Sequence, residues 1–115
     1  MGKIIIYSKE IEFYLNDLID ILFHKDYFSY IENAEKYVFY LKEEIENYID
    51  VKNQFESPKK FQKYGKKYII ISLNNRTSWF VFFDNKENRY LVQYITNNPL
   101  EEPTQLNTNT NTQQQ

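Results

Sequence analysis

The sequence predicts a single α+β domain: an N-terminal strand, an antiparallel helical hairpin, then a three-stranded antiparallel meander. Two patterns lead to this fold class. In the first half of the chain apolar residues recur at the three- and four-residue spacing of amphipathic helices. In the second half short apolar runs alternate with turn residues, as in hairpin-connected strands. A length of 115 residues fits one domain, and an aromatic content of 18% supplies large side chains for its core.

The first elements follow from local patterning. Ile4 to Tyr7 is a short apolar run typical of a buried strand. Ser8 suits a helix N-cap, because its hydroxyl can accept a hydrogen bond from a free backbone N–H. The helix that it opens is expected to end near His24. Its apolar stripe consists of Ile11, Tyr14, Leu15, Leu18, Ile19 and Leu22.

A second helix is predicted to begin near Ser29, since Ser29 and Glu32 match a capping box. It is expected to extend to about Lys52. Its apolar stripe consists of Ala34, Tyr37, Val38, Leu41, Ile45, Tyr48 and Ile49. The short link between His24 and Phe28 favours two antiparallel helices that pack together.

A lysine-rich stretch follows the helices, and Pro58 and Tyr64-Gly65 indicate that it is an irregular linker. Three β-rich runs come next, separated by turn sequences: Tyr68 to Leu73, Thr77 to Phe83 and Arg89 to Thr96. Residues 1–98 are therefore predicted to form the domain. Residues 99–115, rich in Thr, Asn and Gln, are predicted to be a disordered polar tail.

Period-two alternation assigns side chains to the two faces of the sheet. On the middle strand Trp79, Val81 and Phe83 share one face, and Phe80 and Phe82 share the other, so both faces are expected to be covered. The last strand is expected to alternate in the same way. One of its faces would carry Arg89, Leu91, Gln93 and Ile95, and the other Tyr90, Val92, Tyr94 and Thr96.

Charge is distributed unevenly along the chain, although the formal net charge is only -2. Residues 1–55 contain six Lys against eleven Asp and Glu, whereas residues 56–98 contain eight Lys and Arg against three acidic residues. A basic sheet half is a plausible docking surface for phosphates or for an acidic protein segment. A solvated lysine surface is the alternative explanation.

Composition excludes several classes of site. The chain has no Cys, one His and two Gly, so a disulfide framework, a thiolate metal site and glycine-rich phosphate loops are not expected. We therefore predict no metal and no small-molecule cofactor. His24 falls at the end of a predicted helix, where an imidazolium would interact favourably with the helix dipole.

The run Ile4 to Ile6 is too short for a signal-peptide core or a membrane span, so a cytoplasmic location without membrane contact is expected.

The basic sheet half holds the candidate binding groups. The only two arginines of the chain, Arg76 and Arg89, both belong to it, and arginine binds phosphate bidentately. An ion pair between Arg89 and Glu87 would explain Arg89 equally well. Trp79, Tyr90 and Tyr94 could stack on bases, or they could be buried core residues.

Several segments together resemble a known family. They are Asp26-Tyr27-Phe28-Ser29-Tyr30, then Pro58, Phe61 and Tyr64-Gly65, then Arg76-Thr77-Ser78-Trp79-Phe80-Val81-Phe82-Phe83, and Tyr94-Ile95-Thr96-Asn97-Asn98. Over about residues 3–98 the chain resembles the RelE/ParE toxins of bacterial type II toxin-antitoxin systems. The strand and the Tyr-Ile-x-Asn-Asn segment are the most specific part of the resemblance.

The resemblance implies a growth-inhibiting toxin, associated with plasmid stabilisation, that a cognate antitoxin neutralises. For ribosome-associated mRNA cleavage it implies Arg76, Arg89 and Tyr94 as catalytic residues. Lys63, Lys66, Lys67, Trp79, Asn97 and Asn98 would then bind nucleic acid or the target. Pro99 stands where the related branch commonly has His. Two alternatives therefore stay open: a non-enzymatic inhibitor of DNA gyrase, and a degenerated, non-toxic binding module.

Overall fold

The computed structural model describes residues 2–73 and 77–97. Within these ranges the chain forms two helices and a five-stranded mixed sheet, which confirms the α+β class. The elements are β1 (Ile4–Tyr7), α1 (Lys9–His24), α2 (Ile31–Tyr48), β2 (Phe55–Glu56), a 3-10 helix (Lys59–Tyr64), β3 (Lys67–Ser72), β4 (Ser78–Lys86) and β5 (Arg89–Thr96). The predicted polar tail lies outside the described residues.

The strands lie side by side in the order β1-β5-β4-β3-β2. β3, β4 and β5 pair antiparallel in chain order, and β2 pairs antiparallel with β3. β1 pairs parallel with β5, so that Ile4 lies opposite Arg89 and Tyr7 opposite Val92. The first and last strands of the described chain are thus neighbours, and β1 forms one edge of the sheet.

α1 begins and ends as the sequence predicts. The Ser8 hydroxyl accepts a hydrogen bond from the Ile11 N–H at 3.2 Å, which confirms the N-cap. The helix ends at His24. Four residues of its predicted stripe are buried against the sheet and α2: Ile11, Leu15, Leu18 and Leu22.

α2 begins later than predicted, at Ile31, and the capping box at Ser29 and Glu32 is wrong. The N-cap is Tyr30, which makes no side-chain cap bond. The Asn33 N–H instead donates to the Tyr30 carbonyl at 3.0 Å, so a backbone group satisfies it. The helix also ends earlier, at Tyr48.

α2 runs back along α1 on one face of the sheet. Six residues join the end of α1 to the start of α2, while at the other end the Tyr7 hydroxyl, next to the start of α1, donates to Glu46 on α2 at 3.1 Å. Lys3 binds Asp50 just beyond α2, and this hydrogen bond lowers the pKa of Asp50. These contacts hold β1 against the helical layer.

The predicted irregular linker has more structure than the sequence indicates. Phe55 and Glu56 form β2 by pairing with Tyr68 and Lys67, and the lysine-rich segment that follows is a 3-10 helix. A two-residue strand is too short for a periodic pattern. The 3-10 helix is stabilised by contacts with β4 and β5, which only the tertiary structure supplies.

β4 is covered on both faces, as its sequence predicts. Trp79, Val81 and Phe83 belong to the core beneath the helices. Phe82 is also fully buried, but on the opposite face, where Phe61 of the 3-10 helix stacks on it at a ring-centroid distance of 5.1 Å. The sheet therefore has an aromatic layer on the side away from the helices.

A register shift changes the pattern predicted for β5. Phe82 pairs with Tyr94 but Phe83 pairs with Val92, so Gln93 is a bulge residue. Because the bulge reverses the alternation, Ile95 joins Val92 in the core, and Tyr94 lies on the aromatic side. The predicted shared face of Gln93 and Ile95 is wrong for this reason.

Gly65 is required where the 3-10 helix meets β3. Its φ is 144°, which side-chain-bearing residues rarely adopt. A Cβ at this position would lie 2.5 Å from the carbonyl carbon and oxygen of Phe83. Since the obstacle is the backbone of a central strand, the contact cannot be relieved by a side-chain rotation.

We predict that Gly65→Ala lowers the free energy of unfolding by roughly 2–4 kcal/mol, from the positive φ and the overpacking together. Urea unfolding followed by circular dichroism measures this. Gly2→Ala is the matched control, because nothing lies within 4 Å of its Cβ, and its effect should stay within about 0.5 kcal/mol. Equal effects of the two substitutions would contradict the packing at Gly65.

Candidate functional site

The sheet face away from the helices carries a continuous set of stacked rings, which we name the aromatic cluster. It consists of Phe55, Phe61, Tyr64, Tyr68, Phe80, Phe82 and Tyr94. The closest pair is Tyr64 and Tyr94, with ring centroids 4.3 Å apart and planes 19° from parallel. The 3-10 helix thus brings Tyr64 directly onto the last strand.

Lysines border the aromatic cluster. The Lys63 ammonium lies 5.2 Å from the centre of the Tyr64 ring, and the Lys60 ammonium 5.6 Å from that of Phe61. Lys59 and Lys66 are exposed on the same segment. We name these four lysines the basic rim. Lys63 thus places positive charge over the ring of Tyr64, the stacking partner of Tyr94, where a phosphate could be held.

A cleft of about 500 Å³ opens beside the closest tyrosine pair, and we name it the tyrosine cleft. It forms where β1 stops at Tyr7 and the chain turns into α1, so that helix and last strand face each other. Its walls are Ser8, Glu10, Ile11, Tyr14, Tyr64, Gln93 and Tyr94. Three separate elements each contribute a tyrosine to this cleft.

The environment of Tyr14 determines its protonation. Burial raises the pKa of the Tyr14 hydroxyl, and the charge that Tyr94 would carry on ionisation raises it further. The hydroxyl therefore stays protonated well above neutral pH. It can donate a hydrogen bond to an anion in the cleft.

The structure separates the residues that the sequence proposes as catalytic. Arg89 is exposed at the start of β5, and Tyr94 lies five residues further along, about 16 Å away at ~3.3 Å per residue. Tyr94 is in the tyrosine cleft and Arg89 is not. Arg76 and Asn98 lie outside the described residues.

The proposed binding residues divide between two regions. Lys63 and Lys66 belong to the basic rim, whereas the Lys67 ammonium donates to the Gln54 amide oxygen at 3.4 Å, toward β2. Trp79 is only 1% exposed, and its indole N–H donates to the Tyr37 hydroxyl at 2.9 Å. Asn97 is exposed at the end of β5.

Trp79 and Asn97 line a second cleft, of about 430 Å³, at the opposite end of α1, which we name the tryptophan cleft. Its walls are Leu22, Tyr27, Phe28, Tyr37, Thr77, Trp79 and Asn97. Trp79 thus serves both as a core residue and as a cleft wall.

Sequence reasoning did not single out Glu10, Tyr14 and Tyr64 as site residues. Tyr14 belongs to the apolar stripe predicted for α1, and Glu10 lies one turn before it. Their spacing of four residues places both on one face of a helix, which is the available signal. Nothing in the sequence indicates that Tyr64 meets them.

Among residues 2–73 and 77–97, no three His, Cys, Asp or Glu side chains come together as a metal site would require. Neither α1 nor α2 combines the length and apolar character that crossing a membrane needs. Comparison with known proteins found no matching family model, no matching curated protein and no matching solved structure.

The buried tyrosines predict a loss of stability in alkaline solution. Burial, together with the neighbouring Glu46 carboxylate, raises the pKa of Tyr7, as burial raises that of Tyr14. An unfolded chain releases these protons near pH ~10, whereas the folded chain retains them. The free energy of unfolding should therefore be unaffected by these groups below about pH 10 and should fall above it.

Measuring guanidinium unfolding midpoints between pH 9 and 11 tests this expectation. The double variant Tyr7→Phe/Tyr14→Phe should show a flatter decline than the wild type, because it lacks both titrations. Tyr30→Phe is the control, since Tyr30 is 67% exposed and lies in neither cleft. A double variant whose stability declines as steeply as that of the wild type would refute the assignment.

Proposed function

We propose that the protein is a RelE/ParE-like toxin of a type II toxin-antitoxin system that inhibits bacterial growth by cleaving mRNA on the ribosome. The observation that carries the proposal is the tyrosine cleft with the basic rim beside it. The order of strand, two helices and three antiparallel strands is also the order that the sequence resemblance implies. Aromatic rings next to lysines are a usual surface for single-stranded RNA.

The basic rim would bind the RNA backbone. The Lys63 ammonium lies over the Tyr64 ring, Lys66 is exposed two residues after Tyr64, and each can offset the charge of one phosphate. Stacked rings accept bases of any sequence because every base has a π-face. The surface therefore fits a single strand and carries little sequence preference of its own.

The tyrosine cleft contains groups for each proton movement of RNA cleavage. In this mechanism the Glu10 carboxylate accepts the proton of the ribose 2′-hydroxyl as its oxygen bonds to phosphorus. The Tyr94 hydroxyl protonates the departing 5′-oxygen, and the proton held by Glu10 restores Tyr94. Tyr14, which stays protonated, donates to a non-bridging phosphate oxygen. The products are a 2′,3′-cyclic phosphate and a 5′-hydroxyl end.

The toxin assignment includes a cognate antitoxin. An acidic or amphipathic segment of the antitoxin would cover the basic rim and exclude RNA from it. Its opposite charge would speed association with the lysines and fix how the segment aligns on them. Co-expression with the product of a small neighbouring reading frame should yield a stable one-to-one complex. Independent migration of the two proteins at micromolar concentration would count against this partner.

A hydroxyl deletion tests the cleavage mechanism. Expression of the wild type should stop incorporation of radiolabelled amino acids and should produce cleaved mRNA. Tyr94→Phe keeps the ring on Tyr64 and removes only the hydroxyl, so we expect cleavage to slow by about 10²-fold or more. Tyr30→Phe, on an exposed ring outside both clefts, should cleave as the wild type does. Unchanged cleavage by Tyr94→Phe would eliminate the proposed acid.

Exposed phenylalanines on the helices favour a protein target as the second candidate. Phe13 is 66% exposed and Phe39 64% exposed, and Phe39 borders a groove between α1 and α2. Such residues suit contact with another protein. In a gyrase inhibitor of this kind, Phe39→Ser would abolish growth inhibition. DNA-damage signalling with uninterrupted translation would identify that activity, and harmless overexpression without any antitoxin would indicate a non-toxic module.

A further inference from the structure

The residues that line the tryptophan cleft suit the binding of a flat ring. Four of the described residues that line it are aromatic: Tyr27, Phe28, Tyr37 and Trp79. The Phe28 and Tyr37 rings pack against each other at 5.5 Å, and Tyr37 meets Trp79 at 6.4 Å. Its volume of about 430 Å³ falls within the range of small-ligand pockets, ~300–1,000 Å³.

Tyr27 stands at this cleft with its ring largely in water. It is 66% exposed although it lines the cleft. Its backbone is nevertheless held, because the Tyr27 N–H donates to the Leu22 carbonyl at 3.1 Å and Asp26 takes a φ of 62° to allow that turn. An exposed aromatic ring on an anchored backbone can stack on a ligand at little entropic cost.

The polar groups of the cleft suit the edge of a nucleobase. The Trp79 indole N–H is already bonded to the Tyr37 hydroxyl, which leaves the proton of that hydroxyl to be donated elsewhere. Thr77 adds a hydroxyl, and Asn97 adds an amide that both donates and accepts. The polar side chains among the described lining residues are thus hydroxyls and an amide, which match the donors and acceptors on the edge of a base.

We propose that the tryptophan cleft binds one unpaired nucleobase, which stacks on Tyr27 while Asn97 and Thr77 bond to its edge. A purine is preferred, because its larger ring stacks more strongly. The inference deepens the proposed RNA cleavage, and it rests on that function for its physiological ligand. Asn97 lies just past the end of β5, three residues beyond Tyr94 and about 10 Å from it along the chain, so a bound base would direct the neighbouring RNA toward the tyrosine cleft.

Trp79 supplies the readout, because it is the only tryptophan of the chain. Titration of the purified full chain with adenosine and with a short single-stranded oligoadenylate should change its fluorescence saturably. Tyr27→Ala, which removes the base stack, and Asn97→Ala, which removes a hydrogen bond to the base edge, should each weaken adenosine binding by about fivefold or more. Tyr30→Ala is the matched control, since its ring is equally exposed and lies outside the cleft.

The outcomes separate this site from the cleavage mechanism. A saturable change with adenosine, retained in Tyr94→Phe and weakened in Tyr27→Ala, supports the base site whether or not RNA is cleaved. Absence of saturation with adenosine overturns the base site, even if mRNA cleavage is intact. An equal response to ribose 5-phosphate, or equal affinity of Tyr27→Ala and Tyr30→Ala, also overturns it.

Discussion

The bulge at Gln93 determines how the last strand serves both sides of the sheet. Up to Val92 the strand contributes to the core beneath the helices, and after the bulge Ile95 returns to that core while Tyr94 lies on the opposite side. The Gln93 amide donates to Asp84 at 3.1 Å, and the second oxygen of Asp84 accepts the Lys66 N–H at 2.9 Å. One aspartate thus connects the bulge to the segment that carries the basic rim.

The aromatic layer on the second face depends on that arrangement. Without Tyr94 on this side, Tyr64 would lose its closest stacking partner, and Phe61 would keep Phe82 but lose Tyr94 as a ring partner on the sheet. Gly65 then permits the chain to pass directly against the Phe83 backbone and enter β3. The position of the lysines beside the tyrosines is therefore determined by ring packing and by one glycine, and not by helix propensity.

Much of the secondary structure could be predicted from local patterns, and the candidate site could not. Ser8 and the stripe of α1 are local signals, and the two-sided burial of β4 follows from its alternating large residues. The bulge has no local signal, since the alternating pattern of β5 continues through it. The tyrosine cleft requires Tyr14, Tyr64 and Tyr94 to meet from distant positions, which only the tertiary fold specifies.

Because β1 pairs in parallel with β5, the sheet is complete only when these two distant strands have come together. β1 is synthesised well before its partner β5, and Tyr14 on α1 faces Tyr94 only after β5 has joined the sheet. Closing so long a loop is slow compared with local helix formation. The tyrosine cleft, which needs α1, the 3-10 helix and β5 together, therefore exists only in a chain whose whole sheet has assembled.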